Sequence, residues 1–188
     1  EYQQIGRKMS FQTSHNTAKM FNDDSQLWHK YHDKRDHSFK GYIEQDELPI
    51  NKIINYLETK KKYKLTILDL GCGRNLIYDH FKTINPYDKF TIKGYDHVSF
   101  NNSISQDISK IPDEDGSVNI CVFCQSLMGS NWKNYLQEGK RVLGMGGEVI
   151  IVESIDRYDV IKKYVEELGL SLKMEEKKTR WFYMYLGE

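Results

Sequence analysis

An acid and a glycine turn, Asp69-Leu70-Gly71-Cys72-Gly73, end a run of apolar and β-branched residues and are the first residues here that could do chemistry. Glycine allows a ligand to approach the main chain closely, and the helical pattern after the turn would present free N–H groups. In open α/β sheets, ligands bind at the carboxyl ends of strands. The turn matches the dinucleotide fingerprint poorly, because the third glycine is missing and the acid precedes the turn. We therefore expect a ligand-binding crevice here, with a tight turn that serves only packing as the alternative.

The elements that position this turn alternate between strands and helices. Hydrophobic patterns predict strands at 65–70, 91–96, 102–105, 118–125, 148–153, 170–175 and 180–186, and helices at 75–84, 131–143 and 159–168. Pro86 marks the end of the first helix, and Asp159 and Gly169 bound the last one. This alternation predicts an α/β fold with a mostly parallel sheet and helices on both faces. The last two strands would close the sheet as an antiparallel edge.

The chain before the sheet changes character at residue 25. Residues 1–24 are polar and without clear periodicity, so we expect an irregular N-terminal segment. From Ser25 onward apolar residues recur at helical spacing, and Pro49 starts a second amphipathic segment. These patterns predict a helical lid over residues 25–64 within a single domain that spans 25–188.

One connection in the predicted sheet is too short for a usual crossover. Only residues 97–102 separate Asp96 from the next strand, whereas a parallel crossover needs about a dozen residues and commonly contains a helix. We therefore expect the helix between the second and third strands to be missing. Six extended residues span about 20 Å, which is enough to return beside a short strand.

Composition excludes some classes of protein. The 188 residues carry a formal net charge of zero, which is mild evidence against a self-sufficient nucleic-acid binder. Cys121 and Cys124 have CxxC spacing, but positions three apart in a strand face opposite sides, so we expect no bound metal. We expect buried thiols in a reducing compartment. No run approaches about 20 apolar residues, so no membrane span is predicted.

Residues 118–153 carry a family resemblance. The matching pieces read Val-Asn-Ile-Cys-Val-Phe-Cys-Gln-Ser-Leu-Met-Gly-Ser-Asn, then Tyr-Leu-Gln-Glu-Gly-Lys-Arg-Val-Leu-Gly-Met-Gly-Gly-Glu and Val-Ile-Ile-Val-Glu. The glycine turn resembles motif I of S-adenosylmethionine (SAM)-dependent methyltransferases, and Tyr31-His32 and Tyr95-Asp96 recur in the same order. Over roughly residues 27–186, the chain resembles the ribosomal RNA-processing protein 8 (nucleomethylin) methyltransferases.

This resemblance implies a fold and an activity. The fold would be the class I SAM-dependent methyltransferase (Rossmann-like) fold, with a mostly parallel seven-stranded sheet and an antiparallel last strand. The cofactor would be SAM, the product S-adenosylhomocysteine, and the reaction N1-methylation of an adenine in large-subunit ribosomal RNA in the nucleus or nucleolus. The sequence departs from the family at Arg74-Asn75, where small and acidic residues are common, and at Ile108, where Met is usual. The family's long basic N-terminal extension is not in this sequence, so a protein partner or that extension would supply RNA affinity.

The resemblance also implies cofactor contacts. Gly71 and Gly73 would let the backbone approach the methionine part of SAM, and His32 would reach its carboxylate from the lid. The remaining predicted cofactor residues are Asp96 for the ribose hydroxyls, Asp107 for the adenine amino group, Ile108 for apolar contact and Cys124 beside the sulfonium. For the two carboxylates, a solvated strand-end acid and a turn cap are the alternatives. Cys124 is not proposed as a nucleophile, and a packing role fits it equally well.

Polar residues after the fourth strand are the candidates for binding the acceptor. They are Gln125, Ser126, Met128, Gly129, Ser130 and Asn131. Trp132 could stack on a base, but its helical spacing favours the core. Arg180, Trp181 and Tyr183 with nearby lysines resemble a single-stranded nucleic-acid surface, although an edge strand protected by charge gives the same pattern and is favoured.

The reaction would depend on orientation. Methyl transfer needs the acceptor lone pair, the methyl group and sulfur in line, and adenine N1 is unprotonated at neutral pH. No catalytic residue is assigned for this reason. The RNA would be single-stranded or have its adenine flipped out. Two other functions stay open: a methyltransferase for a small molecule or protein, which the neutral charge favours, and a non-catalytic SAM-binding regulatory subunit.

Overall fold

The computed structural model describes residues 2–41, 48–82 and 89–187. Its helices are α1 (Tyr2–Phe11), α2 (Ser14–Asp23), α3 (Ser25–Lys40), α4 (Pro49–Glu58), α5 (Leu76–Lys82), α6 (Trp132–Val142) and α7 (Tyr158–Glu167). Its strands are β1 (Leu65–Leu70), β2 (Phe90–Asp96), β3 (Ile104–Ser105), β4 (Val118–Cys124), β5 (Leu143–Ser154), β6 (Ser171–Lys177) and β7 (Trp181–Gly187). A short 3₁₀ turn, Ile155–Arg157, joins β5 to α7.

The strands form one seven-stranded sheet in the order β3-β2-β1-β4-β5-β7-β6. β1 to β5 pair in parallel, whereas β7 pairs antiparallel with both β5 and β6. The carboxyl ends of β1, β2 and β4 therefore meet at one edge of the sheet, where the glycine turn lies. The predicted seven-stranded, mostly parallel sheet with an antiparallel last strand is confirmed.

The connection from β2 to β3 lacks a helix, as the short spacing predicts. Residues 97–103, all within the described chain, form only bends and turns. Asn101 and Asn102 have φ values of 48° and 64°, in the left-handed region that asparagine tolerates. The Nδ2 of Asn75 donates to the Asn101 carbonyl at 2.7 Å, which ties this connection to the start of α5. Hydrogen bonds from side chains thus replace the contacts of the missing helix.

An apolar core lies on each face of the sheet. Leu68, Leu70 and Phe123 belong to the cluster that α6 and α7 cover. Ile67 and Val122 belong to the cluster that α4 and α5 cover. Because side chains alternate along a strand, Asp69 shares the α4–α5 face with Ile67. The same alternation places Cys121 and Cys124 on opposite faces.

The expectation of an irregular segment over residues 1–24 is wrong, because α1 and α2 occupy it. The residues that α2 buries are Ser14, Thr17 and Phe21, so its inward face is mostly polar and gives little hydrophobic periodicity. The Thr13 side chain caps α2 by accepting the Asn16 N–H. We call α1–α3 the N-terminal roof, since these helices pack over the site described below. A domain boundary at residue 25 stays a prediction.

The last two strands close the sheet as an antiparallel edge, as predicted, but the position of Tyr183, the start of β5 and the start of α7 differ from the expectation. The sheet ends at β6, whose residues are mostly exposed, so β7 is an inner strand and Tyr183 is buried. β5 begins at Leu143, five residues before its predicted start. The residue capping α7 is Arg157, and Asp159 lies in the first helical turn. Pro86 and the end of the helix predicted at 75–84 lie outside the described residues.

Within the described ranges, no helix is long and apolar enough to cross a membrane. The same ranges hold no group of three or more His, Cys, Asp or Glu side chains placed to ligate a metal ion.

Candidate functional site

The glycine turn after β1 has a backbone shape that excludes side chains. Gly71 and Gly73 have φ values of +81° and +52°. A Cβ on Gly71 would lie 2.3 Å from the Cβ of Ser126, and a Cβ on Gly73 would lie 2.8 Å from Cε1 of His32. The turn is therefore a close-packed cradle between the loop after β4 and helix α3.

Asp69 is a buried acid at this turn without a hydrogen-bond partner. Its side chain is 1% exposed, and neither carboxylate oxygen has a partner among the described residues. Burial, with the nearby Asp96 carboxylate, raises the pKa of Asp69 to about 7. A buried carboxylate that nothing neutralises costs free energy, and it is suited to binding a cationic ligand. In the sequence, Asp69 is part of the acid–glycine motif, but no role is predicted for it.

Asp96, at the end of β2, accepts three N–H bonds. Its Oδ1 accepts from the Trp28 indole and the His97 amide, each at 2.8 Å, and its Oδ2 accepts from the Gly73 amide at 2.8 Å. The carboxylate thus joins the roof to the glycine turn. The hydrogen bond from Trp28 to Asp96 could not be predicted from the sequence, because the helical spacing of Trp28 indicates only a core position.

We expect Trp28→Phe to destabilise the protein by about 1.5–3 kcal/mol. The variant keeps an aromatic ring in the core but loses a buried donor to a charged acceptor. Urea unfolding measures the loss, and a double-mutant cycle with Asp96→Asn separates the bond from packing. If the losses from the two single substitutions simply add, the indole–carboxylate bond contributes nothing.

Asp107 and Asn131 are both held by Ser14 of the roof. The Ser14 hydroxyl donates to Asp107 Oδ2 at 2.7 Å, and the Nδ2 of Asn131 donates to that hydroxyl at 2.9 Å. The Ser14 amide donates to Asn131 Oδ1 at 2.9 Å, and Asp107 Oδ1 accepts the Ser109 amide. Asp107, a candidate for binding the cofactor, and Asn131, a candidate for binding the methyl acceptor, are therefore linked through Ser14, which lies in the segment expected to be irregular.

His32 faces the glycine turn as a neutral imidazole. It is 5% exposed, and its Nδ1 has no partner in the described part of the chain. Burial, reinforced by the charges of Arg35 and Arg74, lowers the pKa of His32 to about 2. The neutral ring can donate or accept a hydrogen bond with a ligand, but it carries no charge to attract an anion.

The loop after β4 is fixed by a partly buried ion pair between Glu153 and Arg157. Gln125 has a φ of 54° and donates its N–H to the Val152 carbonyl. The Leu127 amide donates to Glu153 Oε1 at 2.8 Å, and Nη1 of Arg157 donates to the Leu127 carbonyl at 2.6 Å. Arg157 and Glu153 lie 3.6 Å apart, so one ion pair fixes both the N–H and the carbonyl of Leu127. No pattern in the sequence predicts this pair.

The remaining candidates are placed as follows. Burial raises the pKa of the Cys124 thiol, so this group stays protonated at neutral pH. Trp132 packs against the core and lies under the Arg157 guanidinium, 5.3 Å from its ring centre. The core reading of Trp132 is therefore confirmed. Trp181 packs edge-on against Phe39 of α3.

Two cavities meet at the glycine turn. The first, of about 60 Å³, is lined by Asp96, Ile108 and several residues of the roof, with His32, Ser126 and Met128 also in its wall. The second, of about 270 Å³, is lined by Asp69, Cys124 and the apolar side chains of α3 and α4. Arg35, Gly71 and Gln125 line both. The two cavities therefore adjoin at the glycine turn, and we call them together the crevice; Asp96 lies in the wall of the first and Asp69 in the wall of the second.

A sheet in this order, with an antiparallel β7 and an acid–glycine turn after β1, defines the class I SAM-dependent methyltransferase fold. Solved structures share it. A Burkholderia thailandensis 1,6-didemethyltoxoflavin-N1-methyltransferase with bound S-adenosylhomocysteine has a TM-score of 0.66 at 13% identity, covering 87% of this chain and 86% of that one. A SAM-dependent methyltransferase from Aquifex aeolicus has a TM-score of 0.61 at 16% identity, covering 80% and 97%.

The chain belongs to the protein family described as "Hypothetical methyltransferase", whose model matches residues 1–186. Ribosomal RNA-processing protein 8 of Caenorhabditis briggsae is 30% identical over 192 residues, which cover 98% of this chain and 54% of that relative. A Schizosaccharomyces pombe relative named 25S rRNA (adenine(645)-N(1))-methyltransferase is 28% identical over 194 residues, covering 96% and 59%. The chain thus spans about half the length of the curated relatives it matches. These findings confirm the family resemblance seen in the sequence.

Proposed function

We propose that this chain binds SAM in this crevice and methylates N1 of an adenine in ribosomal RNA. The observation that carries the proposal is a pair of acids in two adjoining cavities, Asp96 in the first and Asp69 in the second, beside a turn that admits no Cβ. SAM is a long molecule with a nucleoside at one end and a zwitterionic amino acid at the other. The RNA half of the proposal is supported by the names of the relatives.

The residues present fit this cofactor. Asp96 and Ile108 line the first cavity, so we assign the adenosine end to it, and a cavity this small would have to widen by movement of the roof. Asp107 lines neither cavity and accepts from Ser14, so its contact with the adenine stays a prediction. Asp69 lines the second cavity with both oxygens unpaired, so we assign the ammonium group to it. Gly71 lines both cavities and would lie against the middle of the molecule. The roles of Gly73, His32 and Cys124 as cofactor contacts stay predictions.

When bound, SAM supplies an electrophilic methyl group on a positively charged sulfur. The chain's own task is to hold that group against the acceptor and to exclude water. Gln125 is the acceptor candidate at the junction of the two cavities, and the Glu153–Arg157 pair fixes the loop that carries it and Ser126. Adenine N1 has a free lone pair at neutral pH, so the transfer needs no base. Ser126, Met128 and Asn131 stay candidates for orienting the adenine.

The RNA must present an unpaired adenine, because base pairing blocks N1. With a net charge of zero, the 188 residues supply little general attraction for phosphates. We propose that a further basic segment or a protein partner provides it, and that the protein acts in the nucleolus, as the rRNA-processing names of the relatives suggest.

Calorimetry with SAM and mass spectrometry of nucleosides test the two halves separately. We expect SAM to bind in the micromolar range and 1-methyladenosine to appear in large-subunit ribosomal RNA after incubation with SAM. Binding without any methylated nucleoside would reject the RNA half. A parallel screen of free metabolites and proteins with methyl-labelled SAM tests the rival acceptors, which the neutral charge favours. SAM binding that gives no turnover with any acceptor would instead indicate a regulatory subunit.

A further inference from the structure

The second cavity must match two opposite charges if it holds the amino-acid end of the cofactor, as the proposed function requires. Asp69 provides an anion for the ammonium group and is buried in the cavity wall. The carboxylate needs a cation. His32 does not provide one, because its buried imidazole is neutral.

Arg35 lies one helical turn after His32 on α3 and points at the same place. Its Nη2 is 3.7 Å from the position that a Cβ on Gly73 would take. Its side chain is 23% exposed and lines both cavities. The guanidinium contacts the carboxylate of the adjacent Asp36 at 3.3–3.4 Å, which is long for a charge-assisted hydrogen bond. Arg35 is therefore close to the junction and only loosely paired.

Arg74 is the other arginine in the wall of the second cavity, and it is already engaged. It pairs with Asp33 and lies 3.7 Å from Asp36. Its guanidinium also lies over the rings of Trp28 and Phe100, 5.3 Å and 4.9 Å from their centres. These contacts hold Arg74 between α3 and the connection after β2. Among the described residues, Arg35 has weaker contacts, with Asp36 and with the ring of Phe39, whose centre is 5.9 Å from the guanidinium. Lys40 also lines the second cavity, but Arg35 lines both cavities and is therefore the cation best placed for a ligand at their junction.

We propose that Arg35 binds the carboxylate of the cofactor's amino-acid end, opposite Asp69. The planar guanidinium suits a carboxylate, which it can bind with two parallel hydrogen bonds. Because Arg35 lies on α3, this contact would also attach the roof to the amino-acid end of the ligand. This assignment rests on the proposed function and replaces His32 as the carboxylate's partner.

Two related ligands separate this role from a general effect on the crevice. S-adenosylhomocysteine carries the amino-acid end, whereas 5′-methylthioadenosine has the same nucleoside and thioether but lacks it. We expect Arg35→Gln to weaken binding of S-adenosylhomocysteine about 10- to 100-fold, the usual range for losing a hydrogen bond to a charged group. Binding of 5′-methylthioadenosine should change less than about twofold. Calorimetric titration of both ligands measures the difference.

Lys34→Gln provides a matched control, because it removes the same charge from an exposed neighbour on α3. We expect it to leave both affinities unchanged, and Arg35→Lys to restore part of the lost affinity. Equal losses for both ligands in Arg35→Gln, or no loss for either, would overturn the assignment of Arg35 and leave the proposed function standing. A native protein that binds neither ligand would overturn the proposed function and this assignment together.

Discussion

Replacing Asp69 by Asn is expected to stabilise the protein at pH 8 and to weaken its cofactor binding at the same time. The Asp69 carboxylate is buried without a partner in the described chain, and its pKa is raised to about 7. The ordinary value for an aspartate is near 4, so holding the ionised form in the folded state costs about 4 kcal/mol as an upper limit. A neutral amide of the same shape avoids that cost.

The sign of the pH dependence follows from the direction of this shift. In the unfolded chain the carboxyl ionises above pH 4, whereas in the folded protein it keeps its proton until about pH 7. The folded state therefore binds more protons in this window, and its stability falls as the pH rises. The advantage of Asp69→Asn over the native protein should be small at pH 4 and should reach its full size above pH 7.

Thermal unfolding at several pH values measures this advantage. At pH 8 the melting temperature should rise by roughly 10 °C, since each kcal/mol corresponds to about 2–4 °C in a chain of this size. Affinity for S-adenosylhomocysteine should fall about 10- to 100-fold, because the ammonium group loses its anion. Asp23→Asn makes the same charge change at an exposed position and should have neither effect. A difference in melting temperature between Asp69→Asn and the native protein that does not grow with pH would show that the pKa of Asp69 is not raised in the folded state.

Gly71→Ala is expected to cost about 2–5 kcal/mol of stability and most of the cofactor affinity. An alanine there must adopt a φ of +81° and place its Cβ 2.3 Å from the Cβ of Ser126. The left-handed backbone contributes about 1–2 kcal/mol, and the overpacking contributes about 1–3 kcal/mol. Relief of the clash would require the loop after β4 to move, and Glu153 and Arg157 oppose that movement.

Two companion variants separate the backbone cost from the clash. Gly116→Ala imposes a φ of +69° where nothing lies within 4 Å of the new methyl group, so it should show the backbone cost alone. Adding Ser126→Gly to Gly71→Ala removes the clashing atom and should recover about 1–3 kcal/mol. Urea unfolding and titration with S-adenosylhomocysteine measure both effects. Equal losses in Gly71→Ala and Gly116→Ala would show that Ser126 does not restrict the turn.

The sheet could be predicted from the sequence because its information is local. β1 and β4 are short apolar runs, and the acid–glycine turn marks the end of β1. The missing helix after β2 followed from counting residues, since six residues cannot make an ordinary crossover. The place of β7 inside the sheet did not follow, because the order of strands depends on pairings between distant residues.

The roof could not be predicted because its information is not local. Ser14 and Thr17 are buried polar residues of α2, and a search for apolar periodicity passes over them. The burial of Ser14 is explained by Asp107, a partner more than 90 residues away, whereas Thr17 accepts from Gln12 within the roof. Asp69 was equally hidden: the sequence shows an acid before a turn, but only the packed structure shows that nothing pairs with it among the described residues.

The roof also has a consequence for timing. Trp28 and Ser14 of the roof donate hydrogen bonds to Asp96 and Asp107, so we expect a nucleoside bound beside Asp96 to leave only when α2 and α3 move away from the sheet. The residence time of the product would then depend on how often these helices open and not only on the affinity of the crevice for it. We therefore expect the opening of the roof to set the turnover rate, with product release slower than methyl transfer.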